Sequence, residues 1–372
     1  MSKKRDILLV VMFCGFLGIM ALGTAFLPKR DFSVNEKRAL EKFPEVSFGR
    51  LFSGKWENDF ENYISDHFPG RNFFTAVDSY YTLYTGRNGA KGVYKGKDGY
   101  LINTPVEYND EVLYDNLTAI NSFVNKTGLK ATMIAVPTAG YIMSEKLPEV
   151  HKEYNDEYII KIGIEKGLEK TEFIDLIDEF ERHKEDMQLY YKTDHHWTSQ
   201  GAYLAYLQYA KAHGFEIETD FDIHIYDGFY GTSYTKSALW NEKPDSIEIW
   251  EYPINADVVI NDGLEDEEYK NMFFTEHLDE PDKYPVYLDG NHAFERITNH
   301  DSDGGKLLVL KDSYAHCLVP FLAKHYSCID MVDLRYYLDS VSKLTEENEY
   351  DEVLMIYGIS SLCESRDISI LE

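Results

Sequence analysis

The first pattern along the chain is an apolar run at residues 7–27, which holds no charged residue and follows Lys3, Lys4 and Arg5. As a helix rising 1.5 Å per residue, this run is about 31 Å long, close to the thickness of a bilayer core. It lacks a good small-x-small cleavage site, which favours an uncleaved anchor over a cleaved signal. Because basic flanks stay inside, we predict a cytoplasmic N-terminus at 1–6, a transmembrane signal anchor at 7–27 and an extracytoplasmic chain beyond it.

After the predicted anchor, the chain divides into a helical segment and a longer segment in which strand-like and helical hydrophobic patterns alternate. Residues 28–90 are polar, then aromatic and helical, with proline and glycine breaks, and predict a juxtamembrane helical arm. In residues 91–372, compact apolar runs typical of buried strands are separated by segments with helical spacing. This alternation predicts an α/β fold, a sheet flanked by helices on both faces. The clearest strands are predicted at 131–137, 306–311, 328–334 and 351–358.

Residues 215–300 interrupt this alternation. They are acidic and aromatic, with short strand-like segments, and we expect an irregular β-containing insertion over one end of the sheet.

Two helices matter for the chemistry. One follows Thr198 or Ser199 as its cap and ends at Gly214, and the other is predicted at 313–326.

The composition narrows the classes of function. A chain of 372 residues with 44% hydrophobic and 15% aromatic residues can bury a sizeable core. Its net charge of −28 argues against nucleic acid as a partner and disfavours a strongly anionic substrate. Of its four cysteines, Cys14 lies in the apolar run and the other three form no disulfide framework.

The first chemically informative stretch is TDHHW at 193–197, just before the helix capped by Thr198 or Ser199. Asp194 and His196 are separated by one residue, so in an extended segment their side chains emerge on the same side. A carboxylate there can hold one imidazole nitrogen while the other faces a nucleophile. His195 then points the opposite way, as a residue that packs nearby or supports the site from behind. A metal site and a polar helix entrance remain alternatives.

The second informative stretch is LKDSYAH at 310–316, where a buried strand passes into a helix. Ser313 at such a turn lies at the carboxyl edge of the sheet, beside the first N–H groups of the helix. An attacking serine needs this environment for its oxyanion. Simple capping by Asp312 or Ser313 is the alternative, but an upstream Asp-x-His favours catalysis.

These motifs resemble the DHHW family of bacterial envelope proteins. The resemblance rests on TDHHW followed by GAY and on DSY downstream, together with GKDGYLI, VPT, LYYKTDHHWT and GNHAF, and it covers roughly residues 33–360. That family is similar to the alginate O-acetyltransferase group, whose domains are SGNH-hydrolase-like. The resemblance implies a triad of Asp194, His196 and Ser313 in that chain order. It also implies a polysaccharide acceptor and a multi-pass membrane O-acyltransferase that supplies acetyl, with no cofactor.

Four further residues are candidates for oxyanion or substrate binding. The resemblance implies oxyanion help from polar groups near the serine, for which Asn291 and the backbone N–H of Tyr314 are available. Arg335 follows a strand at its carboxyl end, where α/β sites lie, and either binds an acyl or sugar oxygen or pairs with Asp333. His195 is the fourth candidate. Aromatic residues that could stack on sugar faces, or else pack in the core, are Tyr190, Tyr191, Trp197, Phe229, Tyr230 and Tyr234.

Together with these motifs, the resemblance implies a membrane-anchored, extracytoplasmic O-acetyltransferase or esterase acting on cell-envelope or secreted polysaccharide through an acetyl-serine. Only the acceptor distinguishes transferase from esterase. One alternative is a metal-dependent phosphoesterase that uses the Asp-His-His group as ligands. The other is a non-catalytic polysaccharide-binding subunit on the same fold.

Overall fold

The structure, a computed structural model, describes residues 3–263 and 265–371. The chain forms two compact units, which divide between Lys91 and Gly92. Residues up to Lys91 form the first unit together with Thr235–Asn241, a segment that we predicted within 91–372. The second unit comprises Gly92–Tyr234 and the residues from Glu242 onward.

The first unit is mainly helical. Its helix α1 is long and apolar enough to cross a membrane and is the single such helix among the described residues. The elements are α1 (Lys3–Phe26), β1 (Phe32–Ser33), β2 (Arg38–Ala39), α2 (Phe48–Phe52), α3 (Lys55–Asp66), α4 (Arg71–Thr82) and β3 (Gly89–Ala90), with β1 and β2 paired antiparallel.

The second unit is built on strands and helices that alternate along the chain. In order they are β4 (Val93–Lys95), β5 (Leu101–Asn103), α5 (Asp110–Thr127), β6 (Lys130–Val136), α6 (Ala139–Ile142), α7 (Asp156–Tyr158), β7 (Thr171–Ile174), α8 (Ile177–His183), α9 (Ser199–His213), β8 (Asp222–Phe229), α10 (Thr232–Ser237, whose end lies in the first unit), β9 (Asp245–Glu251), β10 (Ala256–Asn261), β11 (Glu267–Tyr269), β12 (Phe294–Asn299), β13 (Lys306–Lys311), α11 (Ala315–Leu322), β14 (Cys328–Val332), α12 (Val341–Asn348), β15 (Glu352–Gly358) and α13 (Ile359–Glu364).

An eight-stranded sheet forms the centre of this unit, in the order β11-β10-β12-β14-β13-β15-β6-β7. The five strands from β14 to β7 run parallel, and β12, β10 and β11 extend the sheet antiparallel. The four predicted strands correspond to β6, β13, β14 and β15, so the prediction of an α/β sheet flanked by helices is confirmed.

Strand β13 lies inside the sheet and shows why its sequence is a continuous apolar run. Leu307 and Val309 pack into the core on one face, whereas Leu308 and Leu310 pack into the core on the other. All four are fully buried, and burial of one such side chain contributes about 1.5–3 kcal/mol. The strand therefore holds the turn that carries Ser313 on a rigid support.

The structure corrects two sequence predictions in this unit. Strands β10 and β12, within 215–300, join the central sheet, whereas we expected that segment to lie over one end of it. The helix predicted at 313–326 is shorter, because the side chain of Asp312 binds the backbone of Tyr314 and shapes a turn ahead of α11. Helix α9 agrees with its prediction, since Thr198 caps it and Gly214, at φ +70°, ends it.

Candidate active site

The TDHHW segment forms a tight reversal of the chain between Tyr190 and Trp197, which pair as an isolated antiparallel bridge. Its base is held by the buried carboxylate of Asp245. One oxygen of Asp245 accepts a hydrogen bond from the Lys192 N–H at 2.9 Å, and the other accepts from the Thr193 N–H at 2.8 Å and the Thr193 hydroxyl at 2.6 Å. Three charge-assisted bonds thus fix the backbone immediately before Asp194.

Asp194 lies at the tip of this reversal and is 2% exposed. Its Oδ1 accepts from the His196 N–H at 2.8 Å and lies 2.6 Å from the His196 ring Nδ1. Its Oδ2 accepts from the Thr232 N–H at 2.5 Å and from the Thr232 hydroxyl at 2.9 Å. Burial by itself would raise the pKa of Asp194, but the neighbouring histidines and these donors hold it well below its usual range. The carboxylate is therefore ionised.

Gly231 allows the loop that carries Thr232 to approach this carboxylate. A Cβ at position 231 would lie 2.1 Å from Cβ of Asp194, closer than any side chain tolerates. Both Gly231 and Thr232 were missed by sequence reasoning. They lie about forty residues downstream, and no local pattern connects them to Asp194.

His196 connects the carboxylate to the serine. Its Nε2 lies 2.7 Å from Oγ of Ser313, and the imidazole is 5% exposed. The ionised Asp194 can only accept hydrogen bonds, so the proton of the neutral ring lies on Nδ1. Nε2 is then free to accept the serine hydroxyl proton. The structure thus brings together three sequence-predicted residues, Asp194, His196 and Ser313.

The turn that carries Ser313 is shaped by Asp312, which is 4% exposed. Its Oδ1 accepts from the Tyr314 N–H at 3.0 Å, and its Oδ2 accepts from the Gly358 N–H at 2.8 Å and from Ser361 Oγ at 2.7 Å. The Tyr314 N–H therefore already has an acceptor, and its role as an oxyanion donor stays a prediction. The Ser313 N–H donates no hydrogen bond to any residue that the structure describes. This N–H is the better oxyanion candidate.

Tyr284 packs against the ring of His196. Its ring is stacked on the imidazole, with 4.1 Å between centroids and 9° between planes. Its hydroxyl donates to the carbonyl of Ser313 at 3.3 Å. Sequence reasoning missed Tyr284, because it lies in a short 3-10 turn within the predicted insertion.

His195 lies beside His196, with 3.8 Å between the ring centroids and 3.5 Å from its Nδ1 to Oδ1 of Asp194, so it does not point to the opposite side as the sequence predicts. Its Nδ1 lies 2.6 Å from the Thr232 hydroxyl, and its side chain is 33% exposed. Ligand atoms of Asp194, His195 and His196 lie within 4.8 Å of one another, the spacing of a possible metal site. A metal on His196 would have to displace the hydrogen bond to Asp194 or the one to Ser313.

Arg335 and Asn291 are joined to each other. Arg335 binds Asp333 at 2.8 and 2.5 Å and donates to Asn291 Oδ1 at 3.1 Å. Strands β13 and β14 run parallel, so Asp333 and Arg335 follow the same sheet edge as Ser313. Arg335 and Asn291 thus lie at the same sheet edge as Ser313, and Arg335 is paired with Asp333, the alternative partner that the sequence predicts.

The aromatic residues that we considered for sugar stacking are mostly core. Tyr190, Tyr191, Trp197 and Phe229 are at most 1% exposed, so they cannot contact a polymer. Only Tyr230 and Tyr234, stacked at 4.2 Å, are partly exposed.

The α/β fold and this arrangement are similar to SGNH-hydrolase-like domains. The family model described as DHHW protein matches residues 164–332, which include all three residues of the hydrogen-bonded chain. The model described as SGNH hydrolase-like domain, acetyltransferase AlgX, matches residues 95–217. The resemblance to the DHHW family that the motifs predict is thereby confirmed.

Particular relatives and solved structures agree with this class. The chain is 26% identical over 228 residues to the probable alginate O-acetylase AlgJ of Pseudomonas syringae pv. tomato, covering 57% of this chain and 53% of that protein. The AlgJ of Pseudomonas fluorescens is 26% identical over 178 residues, or 43% of each chain. The chain spans about half the length of the curated relatives it matches.

Two solved structures share the fold. A DHHW family protein from Eubacterium siraeum superposes with a TM-score of 0.64 at 22% identity, covering 73% of this chain and 92% of that chain. Bacillus cereus PatB1, solved with a sulfonyl adduct, superposes with a TM-score of 0.63 at 19% identity, covering 74% of this chain and 97% of that chain. At these identities the likeness concerns the fold.

Proposed function

We propose that this protein is a membrane-anchored, extracytoplasmic O-acetyltransferase or acetyl esterase that uses Ser313 as its nucleophile. The observation that carries the proposal is the continuous chain from Asp194 through His196 to Ser313, with contacts of 2.6 and 2.7 Å. A buried ionised acid, an imidazole of defined tautomer and a partly exposed serine are the groups that acyl transfer through serine requires. The relatives named alginate O-acetylase support acetyl as the group transferred.

The chemistry divides into two half-reactions. Oγ of Ser313 attacks the acetyl carbonyl while Nε2 of His196 takes the hydroxyl proton. The tetrahedral intermediate then expels the donor oxygen, which receives that proton, and acetyl-serine remains. A sugar hydroxyl next attacks the ester, gives its proton to His196 and leaves acetylated, and the proton returns to Ser313. If water attacks instead, the product is acetate.

Ser313 N–H is proposed as the donor to the developing oxyanion, with Asn291 and Arg335 as substrate-side groups. Asp194 keeps its charge throughout and stabilises the imidazolium that forms in each half-reaction. The net charge of −28 favours an uncharged carbohydrate polymer as acceptor, because an anionic polymer is repelled. Acetyl is proposed to come from a multi-pass membrane O-acyltransferase, as the resemblance implies.

The topology is part of the proposal. Helix α1 provides the membrane anchor, and the basic cluster before it keeps the N-terminus in the cytoplasm. The unit that carries Ser313 then lies outside the membrane, where envelope and secreted polysaccharides are found.

The test is hydrolysis of 4-nitrophenyl acetate by the full chain in detergent. Ser313→Ala and His196→Ala should each abolish turnover. The matched controls are Ser246→Ala, at an exposed position, and His224→Ala, whose side chain is 43% exposed; both lie in the same unit and should keep activity. Phenylmethylsulfonyl fluoride should label the wild type and not Ser313→Ala. Full activity in Ser313→Ala would reject the mechanism.

A metal-dependent phosphoesterase remains the second candidate, because Asp194, His195 and His196 are close enough to share an ion. Dialysis against EDTA separates the two functions. A serine mechanism keeps its esterase activity after chelation, whereas a metal mechanism loses phosphoesterase activity and regains it with Mn²⁺.

A further inference from the structure

Exposed apolar side chains are concentrated in the juxtamembrane unit, defined as α1 and the residues that follow it to Lys91. Between residues 28 and 91, twelve large apolar side chains are exposed, whereas the whole second unit exposes eleven among its described residues. The second unit is several times larger, so the density is far higher in the juxtamembrane unit. A soluble surface rarely exposes apolar residues this densely.

These side chains form stripes on helices. On α4 and the turn that follows it, Phe73, Val77, Tyr81 and Tyr84 recur at helical spacing and are 66, 47, 69 and 80% exposed. Residues three and four apart lie on one helix face, so the four side chains form a continuous apolar stripe.

Helix α2 adds a second exposed pair. Phe48 and Phe52, four residues apart, are 83 and 89% exposed. Helix α3 is amphipathic: Phe60 and Ile64 lie on the side that meets α1, whereas Glu57 and Glu61 are exposed to solvent. An apolar face opposite a charged face is typical of helices that lie in a membrane interface.

Contacts with α1 show which part of the apolar run this unit packs against. An apolar groove is lined by Leu17 and Met20 of α1 together with Phe60, Ile64 and other residues. Leu17 is ten residues before the end of the apolar run at Leu27, about 15 Å along a helix, which is half the thickness of a bilayer core. Phe60 and Ile64 therefore contact the half of the apolar run that leads to Leu27.

Contacts near the end of α1 involve residues typical of a membrane–water interface. Pro69, just before α4, lies so close to Gly23 that a Cβ there would be 2.6 Å from Pro69 Cγ. Lys29 donates to the carbonyl of Thr24 and lies over the ring of Tyr63, 5.7 Å from its centroid. A lysine and a tyrosine at the end of a span are typical of the boundary between acyl chains and headgroups.

We propose that the juxtamembrane unit is itself a membrane-binding surface, which inserts the exposed aromatic faces of α2 and α4 into the outer leaflet beside α1. Its ligand is the acyl-chain and headgroup boundary of the bilayer. The inference rests on the proposed membrane anchor, and it does not depend on the catalytic role of Ser313.

The test places a photo-crosslinking benzoylphenylalanine at Phe52 or Tyr81 of the full chain, reconstituted in phosphatidylethanolamine–phosphatidylglycerol liposomes. Val11 of α1 is the positive control, and Tyr114, 71% exposed in the second unit, is the matched negative control. After irradiation, mass spectrometry should find lipid adducts at positions 52, 81 and 11 and none at 114.

Adducts at position 11 without adducts at 52 and 81 would overturn the inference and leave the anchor intact. No adduct at any position would overturn both. In native membranes, adducts of positions 52 and 81 with a protein instead of lipid would also overturn it, since the surface would then bind a protein partner. Acetyl ester hydrolysis, measured in the same liposomes, reports the proposed catalytic function separately.

Discussion

Tyr284 and His196 are stacked in parallel, 4.1 Å between ring centroids, although 88 positions separate them in the chain. The tyrosine covers one face of the imidazole, while Asp194 holds its Nδ1 and Ser313 lies at its Nε2. The plane of the proposed base is therefore set by packing as well as by hydrogen bonds.

This stacking leads to a prediction for Tyr284. Tyr284→Ala should lower kcat for acetyl ester hydrolysis about 10- to 100-fold, because a small displacement of a catalytic group costs up to about 100-fold. Tyr284→Phe keeps the stacked ring and loses one hydrogen bond worth about 1 kcal/mol, so it should retain most of the activity. Steady-state kinetics check both variants. Equal losses in the two would show that the hydroxyl, and not the ring, is what matters.

Asp194 is predicted to control the tautomer of His196. Asp194→Asn keeps the size of the side chain, but its amide can present a donor to Nδ1 and move the ring proton to Nε2, where it blocks proton transfer from Ser313. By analogy with the serine protease triad, kcat should fall by about 10⁴-fold. Asp227→Asn, at an exposed position of β8, is the matched control and should stay active. Near-normal kcat in Asp194→Asn would remove this acid from the mechanism.

A buried ion pair supports the strand beneath Ser313. Nζ of Lys311 lies 3.1 Å from Glu295 and 2.6 Å from His316, and the side chains of Lys311 and Glu295 are inaccessible to solvent. Lys311→Met leaves Glu295 without its cation and should lower the free energy of unfolding by about 3–5 kcal/mol. Urea denaturation followed by circular dichroism measures this change.

The double variant Lys311→Met with Glu295→Leu should recover most of that loss, because both charges are then gone. Lys343→Met, which removes an exposed partner of Glu347, is the control and should leave stability unchanged. If the double variant is less stable than Lys311→Met alone, the pair is not what supports the strand.

His292 makes stability depend on pH. Burial by itself would lower the pKa of His292, but hydrogen bonds to Asp289 and Asp262, together with the negative charges of Glu295 and Asp262, raise it to about 9, above its ordinary value of 6.5. The stabilisation is therefore fully present below pH 6.5 and is lost as the pH rises through about 9. In urea denaturation at several pH values, His292→Asn should be most destabilised near pH 6 and equal to the wild type above pH 9.5. A constant difference across this range would contradict the assignment.

Much of the site could be predicted from local sequence. Alternation in an extended segment predicts that Asp194 and His196 lie on the same side. The position of Ser313 after a continuous apolar run predicts that it lies at the end of a buried strand. Both patterns operate over a few residues, where backbone geometry alone determines which side chains share a face. The hydrogen bond from the Tyr314 N–H to Asp312 does not follow from such a pattern.

Other partners could not be predicted in this way. Thr232 binds Asp194 across 38 positions, Asp245 binds Thr193 across 52, and Tyr284 lies in a segment that we had expected outside the sheet region. None of these contacts follows a helical or strand period. All three partners lie within 215–300, a segment that contributes β10, β11 and β12 to the sheet and also contacts the TDHHW reversal.

The sequence by itself determined the apolar N-terminal helix, the alternation of strands and helices, and the candidate acid, imidazole and serine, because each follows from a hydrophobic period or from spacing within one short segment. Tertiary structure alone decided the distances between them, the tautomer of His196, the ring that covers it and the carboxylates that hold both turns. Those features depend on which distant segments pack together, and burial then removes water so that each polar group must find a protein partner.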